Sequence, residues 1–82
     1  MSVRGETKMQ IPRIDLEASS KNIRRFMDGK GVTVRQVQRA LHLTCPQTVY
    51  KWLYGQSLPT IDNLVALASL LDVTIDDIVV TR

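Results

Sequence analysis

The sequence has no apolar run approaching the roughly 20 residues that cross a bilayer, so no membrane role is expected. Its first ten residues, MSVRGETKMQ, carry no apolar block of the secretory type, and the expected compartment is the cytoplasm. Cysteine occurs once, at Cys45, which excludes an intrachain disulfide. With a single histidine, His42, and no carboxylate cluster near it or Cys45, no zinc set assembles, and no cofactor is expected. Asp76 and Asp77 are the nearest thing to a carboxylate pair, but adjacent helical side chains diverge. Nothing gathers a nucleophile, a base and a pocket, so the chain does not read as an enzyme. Aromatic residues are scarce at 5%, which makes Phe26, Tyr50, Trp52 and Tyr54 individually informative. There are no internal repeats and no low-complexity segments.

What is present is one small domain with an uneven charge map. A chain of 82 residues supports a single core, because domains of this size bury only about 60% of the surface their unfolded chains expose. The net charge is +3, a weak pointer to an anionic partner. Its distribution says more. Between Lys21 and Lys51, seven cations stand against Asp28 alone; from Trp52 onward, Asp62, Asp72, Asp76 and Asp77 face only Arg82. A charge run of this kind also suits a plain solvated helix face.

Residues 1–10 have no periodicity and read as a disordered tail, with an ordered domain over 11–82. Ile11 to Ile14 reads as extended, because Pro12 biases its predecessor away from helix. Asp15 is placed as an N-cap, followed by a helix over about 17–29 with Ile23, Phe26 and Met27 inward and Gly29 and Gly31 ending it. Thr33 caps a second helix over about 34–41, whose Val34, Val37 and Leu41 share a face while Arg35, Gln36 and Arg39 face water. His42 to Cys45 makes a corner anchored by Leu43, with Thr44 or Cys45 as cap for a third helix over about 46–54. Val49, Trp52 and Leu53 point that helix inward, which makes Trp52 a core residue rather than a stacking platform. Gly55 stops it. Thr60 caps a fourth helix whose Ile61, Leu64, Val65, Leu67, Ala68 and Leu71 form a wide apolar stripe; Thr74 caps a short fifth, and Val79 to Thr81 is extended. That tail is placed to pair with Ile11 to Ile14, within one chain or across a dimer.

The unit from helix 2 through the corner to helix 3 has the dimensions of a helix-turn-helix, although periodicity alone equally suits an ordinary helical hairpin. Three features favour the former: a cationic face on helix 2, a helix 3 face of Gln, Thr, Tyr and Lys that donates, accepts and stacks, and the Pro59-preceded apolar helix that follows. From Asn22 to Ile78 the chain resembles the Cro/repressor-type, or XRE-like, helix-turn-helix proteins of bacteria and phages. The resemblance rests on Ile23-Arg24-Arg25, Gly31-Val32-Thr33, Val49-Tyr50-Lys51-Trp52, Gly55, and Leu58-Pro59-Thr60-Ile61-Asp62-Asn63-Leu64 running on through Leu67-Ala68 to Leu71-Asp72-Val73. Three departures stand out: His42 where such families usually have glycine, Gln38 where they have a small residue, and a corner one residue longer ahead of Pro46-Gln47.

The resemblance implies an all-α, five-helix lambda-repressor-like domain with short extended termini. It implies a DNA-binding regulator, a repressor by expectation, acting on nucleoid DNA as a homodimer. Helix 3 would then enter the major groove, with Gln47 suited to adenine, Lys51 to guanine and Thr48 to a thymine methyl. Thr33, Arg35, Arg39, Tyr50 and Tyr54 would meet the DNA backbone. A rival reading makes the same fold a protein-interaction module, such as an antitoxin binding a toxin; the lack of any cation in Gln56-Ser57 favours it.

Overall fold

The computed structural model describes residues 11–82 and consists of five helices: α1 Leu16–Lys30, α2 Val34–Ala40, α3 Gln47–Leu53, α4 Ile61–Leu71 and α5 Ile75–Ile78. The expected tail over 1–10 lies outside the described residues. Among these residues no helix is long and apolar enough to cross a membrane.

The helix starts follow from short polar side chains. Asp15 Oδ1 accepts from the Ala18 amide at 3.1 Å, and Thr60 Oγ1 accepts from Asn63 at 3.4 Å. Thr33 and Gln36 close a reciprocal capping box, as do Thr74 and Asp77, each satisfying two amides the helix cannot. α3 differs. Pro46 stands at its N-cap in helical conformation, no side chain caps it, and the expectation for Thr44 or Cys45 is not met. Proline's fixed φ turns the chain into the helix unaided, while the Cys45 sulfur faces Thr48 Oγ1 at 3.8 Å.

The helix ends share one device. Four left-handed residues, Gly31, His42, Gly55 and Asp72, follow α1 to α4. In each case the next residue's amide reaches five residues back: Val32 to Met27, Leu43 to Gln38, Gln56 to Lys51, and Val73 to Ala68. This is the Schellman closure, which needs one residue at positive φ. Gly29 was expected to share in ending α1, but one left-handed residue suffices, so the helix runs through Gly29 to Lys30. His42 and Asp72 take the conformation without glycine's freedom.

Ile23, Met27, Val37, Val49, Trp52, Leu53, Leu64, Leu67, Ala68, Leu71 and Ile78 form the core, with Trp52 only 2% exposed. α1 packs on α3, α4 and α5, and α2 on α3 and α4, which places the corner on the outside of the bundle. The α4 stripe is narrower than expected: Ile61 is 75% exposed and Val65 53%. Val65 is rotated about 100° from the Leu64 seam, and Ile61 sits on the first turn beyond the last core layer.

The termini pair within one chain. Ile14 bridges Thr81 antiparallel, Asp15 donates to Val80 O at 2.7 Å, and Arg82 donates to Arg13 O at 2.9 Å. Two polar residues of α1 fasten this layer: Ser19 Oγ accepts from the Val80 amide at 2.9 Å, and Asn22 Nδ2 donates to the Asp77 and Ile78 carbonyls at 3.3 and 3.1 Å.

Candidate nucleic-acid interface

α3 is short, but together with Tyr54, its C-cap, it presents two distinct faces. Val49, Trp52 and Leu53 are buried, and Gln47, Tyr50, Lys51 and Tyr54 lie exposed at i, i+3, i+4 and i+7, one continuous outer face. Trp52 and Val49 fix the roll of the helix, so the direction of this outer face is set by the core. Thr48 is half-buried at the edge, beside Cys45. Tyr50 and Tyr54 stack with ring centroids 6.0 Å apart and planes 16° from parallel, so they act as one aromatic plate with two hydroxyls. All eight residues singled out from the sequence lie on α2, α3 or their flanks; Gln47, Tyr50, Lys51 and Tyr54 share the α3 face, Thr33, Arg35 and Arg39 belong to α2, and Thr48 stands between.

On α2 the capping box already engages the Thr33 oxygen and the Thr33 amide, which leaves the Thr33 hydroxyl proton and the amides of Val34 and Arg35 free to donate outward. Arg35 and Arg39, one turn apart, line an open groove of about 580 Å³ together with Gln38, His42 and Leu43. Gln38, at the position where a small residue is usual, is half-buried and donates to the Leu43 carbonyl at 3.4 Å, so its amide ties α2 to the corner. The corner keeps the Schellman geometry despite lacking glycine, because His42 itself adopts φ 57.

The electrostatics are one-sided. Between Asp28 and Asp62 the chain has no acidic residue. Among the described residues the ion pairs are Lys21–Glu17 at 3.8 Å and Lys30–Asp72 at 3.6 Å, so Arg35, Arg39 and Lys51 have no internal counterion. The Cys45 thiol is held below its ordinary pKa, chiefly by the Thr48 hydroxyl and then by the Thr48 amide, with smaller help from Gln47 and Thr44 against some desolvation. A lone half-buried cysteine with these partners reads as a structural contact of the corner.

Two participants escape a reading by periodicity. Arg24 of α1 shares a second groove of about 410 Å³ with Glu17, Ser20, Leu53, Tyr54 and Gly55, so a cation and a carboxylate of α1 both stand at the end of α3. His42 lines the α2 groove, and the signal for it was its place at a position normally held by glycine.

The helix-turn-helix family pattern matches residues 23–78. Comparison with curated proteins and with solved structures gave no match. The matched span runs from the first core residue of α1 to the last residue of α5, through both helices of the corner and the acid-free face they carry; the chain belongs to the XRE-like helix-turn-helix family of DNA-binding regulators.

Proposed function

We propose that this domain is a sequence-specific regulator of transcription, a repressor, that lays α3 in the major groove of duplex DNA. The observation carrying this reading is the α3 outer face: hydrogen-bonding and aromatic residues around Lys51, with no acid anywhere on α2, the corner or α3. Gln47 and Lys51, one turn apart on that face, are the base readers, a carboxamide for adenine N6 and N7 and an ammonium for guanine O6 or N7. Thr48 offers its methyl at the edge. Thr33, Arg35, Arg39, Tyr50 and Tyr54 meet phosphates and set register without reading sequence. One domain covers half of a two-fold site, so two copies act on half-sites about one helical turn apart. The site of action is the nucleoid, and no catalytic step is involved.

Binding to random duplex across a salt series tests this. Each phosphate contact contributes a slope of about −0.9 in log K against log salt. An Arg35→Ala, Arg39→Ala double variant should be shallower by about 1.8, so between 50 and 200 mM salt it should lose about twelvefold less affinity than the parent. Weak binding that ignores salt would sink the DNA reading. Selection from a random library should then lose preference at one base pair each in Gln47→Ala and Lys51→Ala.

A second reading has its own support. Exposed Ile61 and Val65 on α4, together with the cation-free Gln56-Ser57 loop, suit a protein partner of antitoxin type. That reading predicts salt-tolerant binding to protein and no steep salt slope on DNA.

A further inference from the structure

The groove beside the corner combines three observations. Among the described residues that line it, Arg35, Gln38, Arg39 and His42 carry hydrogen-bond donors, Leu43 is apolar, and none is a carboxylate. Arg35 and Arg39 repel across one helical turn without a counterion among the described residues, a small standing cost to α2. His42 closes α2 at φ 57, where Gly31 and Gly55 hold the equivalent positions of α1 and α3 and Asp72, at φ 58, that of α4. That conformation costs a side chain some strain, less for Asn, Asp and His than for most residues. Here it sets an imidazole at the rim of a groove that already holds two guanidiniums.

We propose that this groove is a phosphate seat in which His42 is the third donor beside Arg35 and Arg39. Guanidinium forks match a tetrahedral oxyanion with paired N–H groups, and charge-assisted hydrogen bonds of this kind are the strong ones. Gln38, tied to the Leu43 carbonyl, keeps one amide hydrogen for the same ligand. The groove is wide and open, so it suits a phosphate carried on a larger surface, a backbone phosphodiester of the duplex lying outside the α3 reading face. This identification of the source rests on the DNA-binding reading; the seat itself takes phosphate from either a backbone or solution.

The test uses the full chain and two probes, random-sequence duplex across a salt series and inorganic phosphate followed by backbone amide shifts. His42→Gly removes the imidazole and relieves the backbone, so it should melt higher than the parent while binding duplex about three- to tenfold more weakly. A variant that is more stable and yet binds less cannot be explained by damaged folding. His42→Asn, which tolerates the left-handed conformation and keeps a donor, should recover part of the loss. Arg39→Gln should reduce the salt slope by about one. Amide shifts at residues 35–43 on adding phosphate, lost in Arg39→Gln, would support the seat even if duplex bound no better than free phosphate, an outcome that would overturn the DNA reading alone. Steep, salt-dependent duplex binding unchanged by His42→Gly and Arg39→Gln, with no phosphate shifts, would overturn the seat and leave the DNA reading intact. Binding of neither probe would overturn both.

Discussion

Ser19 and Ser20 are neighbours on α1, both inaccessible to solvent at 0% and 2%, and truncating each to alanine should shift stability in opposite directions. Ser19 Oγ is the acceptor for the Val80 amide at 2.9 Å. Removing it strands a donor in the layer where the chain ends meet, a loss of about 1–3 kcal/mol, of which alanine's better helix propensity returns about 0.5. Ser20 Oγ is buried with no hydrogen-bond partner, close to Gly55. There the same truncation removes a desolvated hydroxyl and adds the same propensity gain, so Ser20→Ala should stabilise by about 1–2 kcal/mol. The two variants should therefore lie about 2–4 kcal/mol apart, a large share of the 5–15 kcal/mol that holds a domain of this kind together. Urea titration followed by fluorescence of the buried Trp52 measures this directly, with an unchanged urea slope showing that the unfolded reference is the same. At about 4–8 °C per kcal/mol, thermal melts should separate just as clearly. Equal shifts of the same sign would refute the hydrogen-bond assignment, because side-chain volume and propensity change identically at the two positions.

Three further outcomes follow from single contacts. Gly55→Ala should cost about 1 kcal/mol in urea titration through its φ of 72 alone, since a Cβ there meets Ser20 Oγ at an ordinary 3.4 Å; no loss would mean that α3 does not end in the left-handed conformation. The Cys45 thiol is held low first by the Thr48 hydroxyl, so its alkylation rate should rise with pH at a midpoint below that of the denatured chain, and Thr48→Val should move the midpoint upward. Asp77 is held below its ordinary pKa by the Thr74 amide and then the Thr74 hydroxyl; its contribution is present above the unfolded carboxyl value and lost as pH falls through the lower folded one. Asp77→Asn should accordingly flatten the acid limb of a Tm-against-pH profile, and an unaltered limb would remove the capping box as a cause.

Local chemistry was legible in the sequence, and long-range polar chemistry was not. Asp15, Thr33, Thr60 and Thr74 declare themselves because a cap bonds three residues ahead; Trp52 declares itself because Val49 and Leu53 share its face. Ser19 and Asn22 find their partners about 55 to 61 residues away, where periodicity has no reach, and on a helix they pass for solvated positions. The α4 stripe was overdrawn for a related reason: Ile61 and Val65 have the right residue types, but Ile61 lies beyond the last core layer and Val65 is turned off the Leu64 seam. For the site, the outer face of α3 could be read from spacing, whereas the convergence of Gln38 and His42 with the α2 arginines needed the folded corner.

The charges show which half of the domain serves folding and which does not. The acids of the C-terminal half work locally: Asp62 lies in the first turn of α4, Asp76 and Asp77 in the first turn of α5, where negative charge complements the helix dipole, and Asp72 meets Lys30. The cations of α2 and α3 have no such local work. Lys51 and Arg39 fall in last turns, where the dipole gives them tenths of a kcal/mol at most at exposed sites, and Arg35 is in a first turn, where the dipole opposes it. A placement against the dipole and two arginines facing one groove are costs that selection for stability alone would remove with single substitutions. Their concentration on one face, opposite a half that spends its charges on helix ends, is the pattern of a surface whose counterions come from outside the chain. Under the duplex-binding reading the same asymmetry orients the approach, since the acidic half is repelled by phosphates that attract α2 and the corner.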